Sequence, residues 1–436
     1  MKIAFHIVRM NWYRMLSSMI DEALRRGYHV ECWHNAGASQ LGELCSDIKK
    51  IPEFRNGKPK VIEYWQLEDF LKLVKDNKVD VIVDILPPDE KIMELWPERE
   101  HRPYWVMLDG PATSSVMNIR SRKQLVACDL LAMKSKAHIE LCSEMKRQKS
   151  VSLINKIKNN SHIIGSVSEK TYKFILSGSW DDRADNYFQQ HAVAVGQPQL
   201  DDLNLIDADE VRQQWGIPAG KRVLAYLPSP YRGGDGLCCS LFHKNNMFSR
   251  LFEIIKCKSS RGIAGLTLNK VTERAVLKGL RQFCDRHNAV LITKLRKQMN
   301  ANKDIITYSD IVLGEDNYYP HTILELFSIS DLAVGYYSTG VIESIAADTF
   351  FLNIEIPLQM TDILFDVEPV YKHCFNKKGV TSTICADELS SYLAKYSFDD
   401  FIIDPISQKQ YLQFHLMDNV GNSTASIIDE IEKLAI

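Results

Sequence analysis

The chain opens on a nearly unbroken apolar run, Lys2-Ile-Ala-Phe-His-Ile-Val8, and then changes period. The run reads as a strand buried on both faces. From Asn11 to Arg26 the apolar positions Met15, Leu16, Met19, Ala23 and Leu24 recur at helical spacing, and Gly27 ends the pattern. A second strand is predicted at His29–Trp33, so the opening is a β-α-β unit, which pairs its strands in parallel. Further strands are predicted at Val79–Leu86, Pro103–Leu108 and His162–Val167.

Composition shifts across residues 176–220, and a second alternation starts at Arg222–Leu227. It predicts strands at 289–294, 304–308, 331–334 and 350–354, and helices at 269–287, 321–329 and 339–347. The expected fold is therefore α/β: two Rossmann-like domains with mainly parallel sheets facing a central cleft. Their expected limits are residues 1–197 and 198–415, with a closing helix over 416–436.

A length of 436 residues agrees with two domains. The formal charge of −2, from 53 basic and 55 acidic residues, gives no general attraction to nucleic acid, and none is expected as a partner. The ten cysteines lack the CxxC spacing of a zinc or dithiol site, so no metal is expected and reduced thiols are. No run approaches the roughly 20 apolar residues that span a bilayer. The first apolar stretch is too short and too polar for a signal peptide, so a cytoplasmic protein is expected. One basic cluster, Lys134, Lys136, Lys146, Arg147, Lys149, Lys156 and Lys158, reads either as a solvated face or as a peripheral contact for the inner membrane or a polyanion.

Open α/β sheets bind ligands at the carboxyl ends of their strands, which directs attention to four loops. Asp109-Gly110 follows the strand at 104–108; Asp109 could act as a base, or the pair could simply form a turn. The loop from Leu227 to Gly236 holds Ser229, Arg232 and Asp235 among three glycines, either a phosphate clamp or a hinge. Lys294, Arg296 and Lys297 follow the strand at 289–294, and His321 begins a helix. The segment Tyr337-Ser338-Thr339-Gly340-Val-Ile-Glu343 joins a strand to a helix start, suited to a diphosphate, although a Ser/Thr cap explains its hydroxyls equally.

Gly196-Gln-Pro-Gln-Leu-Asp201, the segment Val211 to Arg232, Ser330 to Glu343, and Asn419 to Ile428 together resemble, in order and spacing, the CDP-glycerol glycerophosphotransferase family and its GT-B relatives. The resemblance covers roughly residues 190–430. It implies an acceptor-side N-terminal domain and a donor-binding C-terminal one. Ser338 and Thr339 would then hold the donor phosphates, Arg232 would lie in the cleft, and Glu343 would support the nucleotide. It also implies no metal or other cofactor. Two departures stand out: Asp109-Gly110 stands where the family has a catalytic His before Gly, and Leu295-Arg296 where it has His-Pro. An Asp-Gly base resembles CMP-sialic acid and other CMP-ulosonate transferases, Kdo transferases included.

The expected function is transfer from a CMP- or CDP-linked donor to a glycan or lipid-linked glycan acceptor of a bacterial surface polysaccharide, with Asp109 as base or Asp235 as nucleophile. A non-hydrolysing UDP-sugar 2-epimerase and an inactive glycan- or nucleotide-binding partner are the alternatives.

Overall fold

The computed structural model describes residues 1–37, 51–94, 102–109, 116, 119, 121–159, 180–228, 260–295, 301–314, 318–336, 338, 340–355, 374–417 and 421–435, with backbone alone at 148–159 and 260–272. The chain divides into two compact units. Unit 1 comprises Met1–Asp202 with Gln413–Ile436, and unit 2 is Leu203–Leu412. The sequence segment expected at His162–Val167 lies outside the described residues.

Unit 1 is built on seven parallel strands: β1 (Lys2–Ile7), β2 (His29–Asn35), β3 (Lys60–Tyr64), β4 (Val81–Asp84), β5 (Tyr104–Leu108), β6 (Leu130–Met133) and β7 (Ala192–Ala194). Their order is β3-β2-β1-β4-β5-β6-β7. The helices are α1 (Tyr13–Arg25), α2 (Leu67–Asn77), α3 (Glu90–Glu94), α4 (Arg122–Ala127), α5 (Lys136–Asn159) and α6 (Asp182–His191). Strands buried on both faces read as continuous apolar runs because helices cover both sides of a parallel sheet. β4 and β6 are buried throughout.

Unit 2 carries a six-stranded sheet in the order β10-β9-β8-β11-β12-β13. Its strands are β8 (Val223–Leu227), β9 (Val290–Lys294), β10 (Ile311–Leu313), β11 (Leu332–Gly335), β12 (Phe351–Glu355) and β13 (Thr381–Cys385), again all parallel. The helices are α7 (Ala208–Gln214), α8 (Ser260–Arg286), α9 (Lys303–Tyr308), α10 (Thr322–Ser328), α11 (Gly340–Ala346), α12 (Leu389–Leu393), α13 (Pro405–Leu416, which crosses back into unit 1) and α14 (Ser423–Ala435, in unit 1).

One sequence expectation is overturned. Residues 304–308 form helix α9, not a strand. The Asn302 side chain caps the first turn by accepting from Ile305 N at 2.8 Å, and Asp304 lies at the positive end of the helix. The strand of this region is β10, three residues further on. Within the basic cluster Lys134 is buried, 2% exposed, whereas Lys136 and Arg147 are exposed. Lys146 donates to Ile119 O at 2.7 Å with its ammonium 5.5 Å from the centre of the Trp180 ring, and Arg147 pairs with Asp185 at 2.5 Å. Among the described residues no helix is long and apolar enough to cross a membrane.

Unit 1 is closed by α14 packing on α1. Arg26 reaches Asp429 at 2.6 Å and Glu432 at 2.7 Å. At the edge of this unit the Asp202 carboxyl is buried, accepting from Ser18 Oγ at 2.5 Å. Burial above all, with the neighbouring Asp201 charge adding and the Ser18 bond opposing, pushes its pKa up to about 8. The folded state then keeps a proton that the unfolded chain releases near pH 4, so stability falls as pH rises from about 4 to about 8. Asp202→Asn is expected to raise stability by on the order of 2 kcal/mol at pH 8 and to change little near pH 4. Thermal melts of both proteins across that range check this; a pH-independent difference would contradict it.

Candidate functional site

In a doubly wound sheet the ligand crevice opens where the strand order reverses, outside the carboxyl ends of the two central strands. In unit 1 that point lies between β1 and β4. Two polar clusters occupy the carboxyl edge around it.

The first was not singled out in the sequence as a site. Asp84 ends β4, and its Oδ1 accepts from the Ile85 and Leu86 amides at 2.6 and 3.0 Å, which anchors the carboxylate. Its Oδ2 lies 2.5 Å from His6 Nδ1, and His6 Nε2 lies 2.5 Å from the Tyr64 hydroxyl at the end of β3. All three side chains are buried. An ionised carboxylate only accepts, so Nδ1 carries hydrogen; in the neutral ring Nε2 then accepts from the Tyr64 O–H. The signals were a histidine inside an apolar strand and an aspartate ending one.

The second is centred on Asp109. The Asp109 amide donates to Ala132 O at 2.9 Å, continuing the β5–β6 ladder and fixing where the side chain leaves it. Asp109 is 3% exposed; its Oδ2 is 2.9 Å from His138 Nε2 and 4.0 Å from Lys134 Nζ. Lys134 directly follows β6. His138 sits in the first turn of α5, where its amide donates to Ser135 Oγ at 3.1 Å. Sequence reading took Lys134 for part of a charged face and passed over His138. Both lie beside the candidate base.

In unit 2 the order reverses between β8 and β11. The loops expected to bind the donor follow these two strands. Gly335 pairs with Leu227 across them, and Ser338 and Gly340 come next. Gly340 opens α11 where a Cβ would lie 3.2 Å from Ile323, 3.3 Å from Leu227 and 3.3 Å from Phe327, so a side chain here would need these neighbours to give by a few tenths of an ångström. The Ser338 hydroxyl accepts from Gly340 N at 3.2 Å, a local cap. His321 is fully buried and caps α10, its Nδ1 accepting from Ile323 N at 3.4 Å. Gly340 opens α11 beside Ile323 of α10, which brings His321 and Ser338 into one neighbourhood. Glu343 is buried on α11. Lys294 is buried at the end of β9, two strands from β11, with its ammonium 3.3 Å from Leu295 O. Behind the same edge Tyr226 donates to Glu273 at 2.5 Å, another buried contact the sequence did not signal. Gly110, Ser229, Arg232, Asp235, Arg296, Tyr337 and Thr339 lie outside the described residues.

A cavity of about 670 Å³ is lined by Trp215, Lys221, Arg281, Asn288, Val290 and Asp310, among others. Val290 and Ile311 begin their strands, so the cavity opens at the amino edge of the sheet, away from the reversal point. The carboxyl edge is the better candidate on topological grounds.

By sequence, no family model and no curated protein matches the chain. By structure, it is similar to the wall teichoic acid polymerase TagF (12% identity, TM-score 0.53, covering 100% of this chain and 89% of that one). It is also similar to Staphylococcus aureus MnaA in its UDP co-structure (10%, TM-score 0.51, 99% and 96%). A Listeria monocytogenes protein described as a candidate UDP-N-acetylglucosamine 2-epimerase gives 8% identity and a TM-score of 0.52 over 100% and 96%. The two parallel sheets and likeness over the whole chain establish that this protein has the two-domain GT-B fold.

Proposed function

We propose that the chain is a glycosyltransferase or polyol-phosphate transferase that uses a cytidine-nucleotide donor, CMP-ulosonate or CDP-polyol, to extend a bacterial surface glycan, and that it works at the cytoplasmic side of the membrane. The observation that carries this reading is topological. In unit 2 the Ser338–Glu343 motif and the 227–236 loop follow the two strands flanking the reversal point, where this fold class takes nucleotides. The TagF likeness supports the transfer chemistry.

On this reading unit 2 takes the nucleotide, with Ser338, Thr339, Gly340 and Tyr337 beside its phosphates, Arg232, Lys294 and Arg296 supplying positive charge, Ser229 adding a hydrogen bond, and His321 and Glu343 supporting the turn from beneath. Unit 1 supplies Asp109 as the base that takes the proton of the attacking acceptor hydroxyl, with Gly110 giving close backbone approach. Neutralisation of the leaving phosphate by these cations and amides is proposed to need no metal ion or other cofactor. Asp235 as a nucleophile with retention is the variant of this scheme.

The first test is a thermal-shift panel of CMP, CDP, UMP, UDP and GDP. A ligand at about 100 times its Kd stabilises the native state by about 2.7 kcal/mol, a rise of roughly 5–10 °C for a unit of this size. CMP or CDP is expected to give it. A response to UDP alone favours a second reading, a UDP-sugar 2-epimerase, which the MnaA–UDP likeness supports and which product analysis without an acceptor would reveal. No response to any nucleotide overturns both.

A further inference from the structure

We propose that the cavity at the amino edge of the unit 2 sheet is a second binding site, separate from the reacting groups, that holds a hydroxyl-rich chain carrying one anionic group per unit. That is the chemistry of a polyol-phosphate or sugar-acid polymer. The choice of polymer rests on the function proposed above; the site rests on its own lining.

The cavity, about 670 Å³, has the size that small ligands occupy, and it lies wholly within unit 2. One wall is the turn after α7. Trp215 caps that helix, Gly216 has φ +66°, and the Ile217 amide donates to Arg212 O at 2.9 Å. The Arg212 guanidinium ties the turn to its surroundings, donating to Lys221 O and, at 3.2 Å, to Ile329 O. A second wall leads into β10, where Asp310 Oδ2 accepts from the Leu291 amide at 2.7 Å and from Arg281 Nη1 at 2.6 Å. Both walls are thus held by bonds to the backbone.

What the lining offers decides the ligand. Its charged groups are Lys221, Arg281, Asp285 and Asp310. Arg281 is committed to both acids, its Nε lying 2.8 Å from Asp285 Oδ1. Lys221, by contrast, makes no ion pair or side-chain hydrogen bond among the described residues, and neither do the Trp215 indole N–H and the Asn288 amide. Asp310 Oδ1 and Asp285 Oδ2 keep lone pairs for a donor. The ammonium takes one anion, the carboxylate oxygens and the amide take hydroxyls, and the half-buried Trp215 ring packs on C–H groups. The two carboxylates repel a diphosphate, which separates this ligand from the nucleotide of the donor site. β9 runs from Val290 at the cavity to Lys294 at the carboxyl edge, about 13 Å, so both edges can be filled at once. A polymer held here stays on the protein between additions.

The test uses the full chain without nucleotide, titrated by calorimetry with a glycerol phosphate oligomer, an α2,8-linked sialic acid oligomer and neutral maltotriose. At least one anionic oligomer is expected to bind, and the tighter of the two distinguishes polyol phosphate from sugar acid. Lys221→Met should weaken it about tenfold, the lower end for a hydrogen bond to a charged group, and Asn288→Gly about threefold. Both variants should fold: methionine keeps the Lys221 stem, and Asn288 has φ +50°, which glycine adopts freely. The indole N–H resonance of Trp215, assigned by its loss in Trp215→Phe, should shift with the same oligomer. CMP and CDP should stabilise these variants as they do the wild type. Binding of neither anionic oligomer, equal binding of maltotriose, or wild-type affinity in the Lys221→Met, Asn288→Gly double variant overturns the proposal. No nucleotide response, with oligomer binding still lost in the double variant, would instead sink the proposed transfer and leave this site standing.

Discussion

Asp109→Asn is expected to lower the rate of transfer by about 10²–10⁴-fold, the usual contribution of a positioned base, while leaving nucleotide affinity unchanged. The split follows from where the groups lie. Asp109 belongs to unit 1, and the turn proposed to meet the nucleotide belongs to unit 2. Asparagine keeps the size and shape of the side chain, with His138 Nε2 now 2.9 Å from the carboxylate, but its amide cannot act as the base. It also leaves Lys134 and His138 buried beside a neutral group, so a melting curve must accompany the kinetics. Full transfer activity in a folded Asp109→Asn protein would show that the base lies elsewhere. Lost activity together with lost nucleotide binding would point to general damage instead.

Gly196→Ala is expected to destabilise the protein by about 3 kcal/mol. Gly196 has φ +88°, a conformation that costs an L-residue energy at once, and an added Cβ would lie 2.2 Å from Ser423 Oγ and 3.0 Å from Ser423 Cβ. Ser423 cannot simply turn aside, because its Oγ accepts from Gln197 N at 3.1 Å. The same tract holds Asp201, which accepts from the Ser423 and Thr424 amides at 3.2 and 2.7 Å at the start of α14. Chemical denaturation reads the loss directly; a change under about 0.5 kcal/mol would mean that the backbone relaxes at little cost.

Much of the architecture was legible because buried parallel strands are written as apolar runs. β1, β2, β4, β5, β8, β9, β11 and β12 all fall within or beside predicted strands. β3 was missed: its residues are mostly half-exposed and alternate weakly, and only pairing with β2 makes them a strand. α9 was misread because Ile305, Ile306 and Thr307 favour strands, and the Asn302 cap outweighed them. For the candidate site, the places of Asp109, Ser338 and Gly340 after strand ends were legible, since each follows an evident strand. His6 and Tyr64 were not. They are 58 residues apart and meet only because β3 is placed two strands from β1. Likewise, nothing in the local pattern of Lys134 and His138 says that β6 lies beside β5, which is what sets them against Asp109.

The return of the chain to unit 1 at Gln413 makes unit 2 an insertion within it. During synthesis, therefore, α14 leaves the ribosome only after all 210 residues of Leu203–Leu412. Until then Arg26 can pair with Glu22 of α1 but not with Asp429 or Glu432, and Gln197 has no Ser423 to receive its amide. Unit 1 is in this sense finished last, although its first seven strands are made first. A fragment ending at Asp202 should behave as an incomplete domain that a separate peptide spanning Gln413–Ile436 can complete.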